Sequence, residues 1–357
     1  ELNNALTGTV RVQTGTIDLR GGGSSSGTFQ IDAGTLRVSE VIYDLNAGWN
    51  ATGSGTLQIT TRGTVNAVSS GTIAGNLSLG SSSTAILTGG GDVTVGGTFS
   101  WSGGKLEGDG KLITNGDSSF FSSNKVLERD VDNAGTAIWT RGSISGISAV
   151  YHNLAGGTFD AQANSTTWTF GGSTNTFKNS GTLKRSTGTS TATFSAALDN
   201  TGTIDIDSGR MTFTGGGSSS GNLDVAAGSW LRVQGGTMVV DAGTTWAGDG
   251  TLEVASGTLQ VDADITVGGL SVIPLSSFTA TELSGAGDIT VNDNFIWNGG
   301  TLSGDGTLIT AGNGSVIGSG ITKFLERSIS NTGTIAWTDG RIQATAGVEL
   351  NNQAGAT

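Results

Sequence analysis

The sequence predicts an all-β chain wound as a β-solenoid, in which successive turns of backbone stack as parallel strands, and three observations predict it. The first is a large internal copy. The segment GGGDVTVGGTFSWSGGKLEGDGKLIT returns as GAGDITVNDNFIWNGGTLSGDGTLIT, so that Trp101 answers to Trp297 and Asp109 to Asp305 at one offset of 196. KVLERDVDNAGTAIWTRG likewise answers to KFLERSISNTGTIAWTDG at 198, and LRGGGSSSGTFQIDAGTLRV to FTGGGSSSGNLDVAAGSWLRV with Ser26 against Ser220. The second is a small unit, Gly-Thr-apolar-x-apolar, whose starts lie 19 to 21 residues apart at Gly15, Gly34 and Gly55, at Gly181 and Gly202, and at Gly236 and Gly257. The third is an apolar-x-Asn marker at Asn133, Asn153, Asn179 and Asn200, and again at Asn331 and Asn352.

Each small unit reads as a short strand. In GTVRV (8–12), GTIDL (15–19), GTFQI (27–31), GTLRV (34–38), GTLQI (55–59), GTIDI (202–206), GTLEV (250–254) and GTLQV (257–261) the apolar residues two apart share one side, and glycine supplies the preceding turn. The intervening residues, Arg11, Asp18, Gln30, Arg37, Gln58, Asp205, Glu253 and Gln260, face the other side, so one face is expected wet and one buried. A step near 20 residues gives roughly 17 coils, which at about 4.8 Å per coil makes one continuous rod on the order of 80 Å long. The recurring asparagines are expected above one another at a corner, their amides bonded along the axis. An antiparallel sandwich shares the frequent turn signals but predicts no stacking period. The reading is therefore one solenoid over 1–357, carrying sequence super-repeats 1–194 and 195–357, the second incomplete.

Composition narrows the class. Gly at 62 of 357 suggests disorder, but 35% hydrophobic residues in regular short runs supply a core, and one proline without a Gly period of three excludes collagen. A net charge of −12 repels nucleic acid and anionic membrane. The absence of cysteine excludes a disulfide frame and thiolate metal sites. No apolar run reaches the length of a membrane helix. Both ends of the chain lie inside the repeat pattern, so it is read as a piece of a longer protein whose signal, anchor or secretion domain lies outside it.

Few motifs suggest chemistry. Asp130/Asp132, Asp205/Asp207 and Asp262/Asp264 are spaced two apart, about 6.5–7 Å on a strand, inside the range of an inverting glycosidase, yet such spacing is cheap by chance and reads as solvated strand and turn carboxylates. Gly-Asp-Gly at 108–110, 248–250 and 304–306 lacks the tandem array of a calcium solenoid and reads as tight turns. His152 is the single histidine, expected as an exposed strand residue with no nucleophile paired to it. Lys125, Glu128 and Arg129, with Lys323, Glu326 and Arg327, read as a solvated strand edge with local ion pairs. Trp101, Trp139, Trp297 and Trp337 are either buried core stacks or, alternatively, a row of exposed rings for glycan or partner contact. No catalytic, metal or cofactor-binding residue is assigned, and no cofactor is expected.

The units x-Asn-x-Gly-Thr and Gly-Gly-x-Leu-x-Gly-x-Gly-x-Leu, at Gly103–Leu112 and Gly299–Leu308, resemble the repeats of very large bacterial surface and secreted adhesins, of filamentous-haemagglutinin-like and autotransporter-passenger-like type. The resemblance covers nearly the whole chain and implies a right-handed parallel β-helix exported to the cell exterior, serving as an adhesive stalk or fibre. The expected function is thus a non-enzymatic extracellular structural or adhesive rod, stalk, filament or matrix component. Expected partners are the protein itself, end to end or laterally, and cell-surface or matrix glycans, with no nucleic acid and no membrane insertion. A β-helix polysaccharide lyase, hydrolase or tailspike-like protein is the second reading, and a sugar-binding module the third.

Overall fold

The computed structural model describes residues 1–80, 84–170, 175–277 and 279–357, and none of these forms a helix. Every described strand pairing is parallel. Leu2–Asn4 pairs with Gly23–Ser25, Thr9–Val12 with Thr28–Ile31, and Thr16–Leu19 with Thr35–Ser39, so three strands complete one coil and each coil lies on the next. The chain is a β-solenoid with coils of about 21 residues, and about 16 turns are made. Parallel pairing at this step rules out the sandwich.

Contacts divide the chain into two compact units, Glu1–Thr182 and Leu183–Thr357. In the first, one stack of strands runs from Thr16–Leu19 through Phe99–Trp101 to Thr158–Ala161. In the second, Ile265–Val267, Ile289–Val291, Leu308–Thr310, Ile329–Asn331 and Leu350–Asn352 form a comparable stack. Two longer strands, Trp230–Val240 and Thr251–Val261, each run through a corner and pair with register shifts around Gln234.

The Gly-Thr-apolar-x-apolar units fall where the sequence places them, with Phe29 and Ile31, Leu36 and Val38, Leu57 and Ile59, and Ile204 and Ile206 pointing into the core. Because a coil encloses its own interior, a strand in these parallel sheets buries one face only, which is why the pattern alternates instead of running continuously apolar. Aromatic rings fill the interior of the first unit: Trp101 meets Phe120 edge-on at 5.4 Å, and Phe159 meets Tyr151 and Trp168, each at 5.2 Å.

The asparagine corner forms as expected. The Asn133 side-chain amide donates to Asn153 Oδ1 at 2.9 Å, and Asn153 donates to Asn179 Oδ1 at 2.8 Å. In the second unit Asn331 donates to Asn352 at 2.7 Å. Thr114 and Thr310 take the rung before the ladder in the two copies, donating to Asn133 at 3.1 Å and Asn331 at 3.0 Å. Each amide also reaches turn carbonyls of its own corner, as Asn133 does with Gly135, so the ladder satisfies backbone groups that the turn leaves over.

Candidate functional site

The tryptophans separate. Trp101, Trp139 and Trp297 are completely buried, which rules out an exposed glycan platform for these three and leaves the core stack. The indole N–H of Trp101 and that of Trp297 find no acceptor among the described residues. Trp337 belongs to the final described coil and is 59% exposed, whereas its counterpart Trp139 packs against Phe159 and Trp168 of the following coils.

The expectation of a solvated edge at KVLER and KFLER is corrected. Lys125, Arg129, Lys323 and Arg327 are buried; only Glu128 and Glu326 stand outside, Glu128 in an ion pair with Lys105 at 2.6 Å. The Lys125 ammonium donates to the carbonyls of Ser123 at 2.8 Å and Arg141 at 3.0 Å, and Lys323 donates to Ser319 and Ile321, both at 3.0 Å. Arg129 lies along the stacking direction, donating to Gly89 at 3.0 Å, to Glu107 at 3.1 Å and, by a short bond, to Gly91. Arg327 repeats this with Gly306 at 2.7 Å and Gly287. Burial pushes Lys125 down to about 8 and Arg129 down to about 10, and lowers Lys323 and Arg327. These cations are internal struts that gather turn carbonyls, a role strand periodicity alone does not reveal.

Two of the three Gly-Asp-Gly turns, 108–110 and 304–306, belong to the same device, whereas at 248–250 a Cβ on Gly250 would meet Val225. Gly108 and Gly304 both sit at φ +92°, and a Cβ on Gly110 or Gly306 would meet the passing guanidinium of Arg129 or Arg327. In these two turns the second glycine is thus a clearance for an arginine one coil on. Among the described residues no group of three metal-ligating side chains assembles.

The paired carboxylates are absorbed by local bonds. Lys184 reaches Asp205 at 2.5 Å and Asp207 at 2.7 Å, and these hydrogen bonds raise its pKa. Asp262 accepts from Gln260 at 2.6 Å, while Asp264 accepts from the Asp288 amide at 2.8 Å. Asp130 accepts from the Val150 amide at 2.8 Å. Glu253, expected on the wet face, is covered instead by Arg210 at 3.2 Å and Arg232 at 3.1 Å.

His152 is not without a nucleophile beside it, contrary to expectation. Its Nε2 lies 3.1 Å from Ser180 Oγ and its Nδ1 3.8 Å from Asp132, a serine, histidine and aspartate on successive coils. Lys111 holds Asp132 at 3.0 Å, and the amides of Ser180 and Gly181 both donate to the Asn153 carbonyl. Both amides are thus engaged within the chain's own hydrogen bonds and are not free to serve as oxyanion donors.

A concavity lies elsewhere, in the second unit, at Trp230, which the sequence pattern does not single out. An open groove of about 640 Å³ is walled by Trp230 at one end and by Asn294 and Ile296 at the other. It exists because of side-chain size along one register column: Trp230 pairs with Thr251, and Thr251 with Gly269, so a large ring is followed by a small side chain and then by none. Ser271 lies on the floor, with Asp249 and Asp293 on the turn side. Arg210 stands 5.1 Å from the Trp230 ring centre on the preceding coil, while the groove opens over the following ones. The ring therefore has one face against a cation and one toward the groove. The signal was present in the sequence: the copied block LRV is preceded by Thr35 in the first copy and by Trp230 in the second.

Comparison with models of known families, with curated protein sequences and with solved structures yields no match for this chain.

Proposed function

We propose that this chain is a non-enzymatic structural scaffold of the cell exterior, a repeat segment of a larger bacterial surface or secreted protein that carries or spaces adhesive parts. One observation supports this above others: the internal copy keeps a set of buried stacking residues, while most of the outer ion-pairing residues change, Glu128 and Glu326 excepted. Trp101 and Trp297, Lys125 and Lys323, Arg129 and Arg327, and Asn133 and Asn331 are identical pairs, and all eight side chains are buried. On the outer faces, Lys105, Glu107, Lys111 and Asp132 of the first copy, which form ion pairs, are replaced by Thr301, Ser303, Thr307 and Ser330. His152 is replaced by Asn351. What is repeated is the apparatus for stacking coils, and that is the requirement of a scaffold.

The adhesin-like repeat style agrees with this reading, and so does an outer surface that is polar and weakly charged. Self-association of the chain, end to end or laterally, is part of the proposal. The test has two arms. Antibody against the purified chain should label intact, unpermeabilised source cells or their medium, and the chain should leave acidic and neutral polysaccharides uncut. Cleavage that disappears in Asp205→Asn or Asp262→Asn would replace the scaffold with an enzyme.

A further inference from the structure

We propose that the groove beside Trp230 binds a short, uncharged oligosaccharide, with the free face of the indole as its stacking platform. The proposal stands on the groove itself and not on the scaffold reading.

Four features point to this ligand class. First, the ring is half-buried at an outward position where the first copy has Thr35, whereas Trp101, Trp139 and Trp297 are buried in the core; an aromatic placed outward on a rigid sheet offers a contact surface. Second, its orientation is fixed. Arg210 packs on it from one side, and both arginines of that face, Arg210 and Arg232, are tied to Glu253, so the platform is held before any ligand arrives. Third, the groove follows the stacking direction. From the strand of Trp230 through Thr251–Val254 and Gly269–Val272 to Phe295–Trp297 there are three rung steps, about 14 Å at about 4.8 Å per step, an extended trough suited to a linear chain of rings. Its volume falls in the range of small-molecule sites. Fourth, the polar groups within reach are those that read hydroxyls: the Ser271 hydroxyl, the Asn294 amide, and the carboxylates of Asp249 and Asp293 as acceptors. The two carboxylates give the lining a negative charge, which rejects uronates and sulfated sugars by like-charge repulsion and admits neutral ones.

Two glycines keep the trough open. Gly269 leaves the register column empty, and the backbone at Gly268 runs so close to the Asp249 carbonyl that any side chain there would collide.

The experiment is isothermal titration calorimetry of the purified chain with cellotriose, maltotriose and chitotriose, and with trigalacturonate as the acidic comparison. At least one neutral trisaccharide should bind measurably, and trigalacturonate at least about tenfold more weakly, a difference of about 1.4 kcal/mol. Trp230→Ala should weaken binding by about tenfold or more. Two further variants guard against a general loss of folding. Asp293→Ala changes an exposed turn side chain and should weaken binding with the melting temperature unchanged, and Thr251→Phe should block the groove while keeping Trp230. Three results would each overturn the proposal: no heat with any neutral trisaccharide, undiminished binding in Asp293→Ala and Thr251→Phe, or trigalacturonate bound as well as the neutral sugars.

Discussion

Arg129 donates through its guanidinium to the carbonyl of Gly91, two coils back along the chain, and Arg327 does the same to Gly287 in the second copy. A side chain that crosses coils in this way ties rungs that the strand ladders already join, and it does so at the turns, where ladder bonds run out.

Removing that strut should be costly. Arg129→Met leaves the carbonyls of Gly89, Gly91 and Glu107 short of a donor, and a charge-assisted bond of this kind contributes about 1.5–3 kcal/mol. Urea unfolding should show a loss of at least that size. The adjoining glycines give a sharper contrast. Gly110→Ala should destabilise, since its Cβ would lie 2.6 Å from Arg129 Nη2 and 2.3 Å from the Gly91 carbonyl oxygen. Gly90→Ala has no atom within 4 Å and should be neutral or stabilise by up to about 1 kcal/mol.

Lys125 makes stability depend on alkaline pH. Its folded pKa is lowered by burial to about 8, below the about 10.4 of an unfolded lysine. Below pH 8 both states carry the proton and the cost of burying the charge is present in full. Between about 8 and about 10.4 the unfolded chain holds more protons than the folded one, so stability rises with pH through that window. Melting temperatures across it should climb for the natural chain relative to Lys125→Met, and parallel curves would refute the assignment.

The asparagine ladder should be sensitive to donor chemistry more than to size. Asn153 Nδ2 donates to Gly157, Asn179 and Thr182 at 3.2, 2.8 and 3.0 Å. Asn153→Asp keeps the shape but removes both N–H donors that serve these three acceptors and places a carboxylate against carbonyl oxygens. It should destabilise by about 3 kcal/mol or more at neutral pH, recovering in part as acid protonates it. The same change at Asn352, which is exposed, should cost far less.

Trp101→Ala should cost about 3–5 kcal/mol through the cavity it opens between Phe99 and Phe120. Trp101→Phe should cost much less, because the indole N–H it removes has no acceptor among the described residues. Calorimetric melting of the two variants distinguishes these.

Coil length, strand positions and the asparagine corner were legible because each depends on a short period read locally: two residues along a strand, about 21 from rung to rung. Lys125 and Arg129 were misread because polarity argues for exposure unless carbonyl acceptors are known, and those acceptors come from turns up to 40 residues away. The Ser180 hydroxyl beside His152 was invisible for a related reason. It lies one coil on from His152, 28 residues later, across a coil longer than the average step. Trp230 was overlooked since a groove is a property of a column, of Thr251 and Gly269 as much as of the ring itself.

The three-strand coil also governs how this protein yields to force. Within each unit the interstrand bonds point along the stacking direction, so tension applied at the chain ends loads the outermost rung first and the next only after it gives way. Extension should proceed by peeling, one coil at a time, each releasing about 70 Å of chain at about 3.3–3.6 Å per residue over about 21 residues. A stack of coils built this way lengthens in small increments under a pull that would snap a single cooperative domain open.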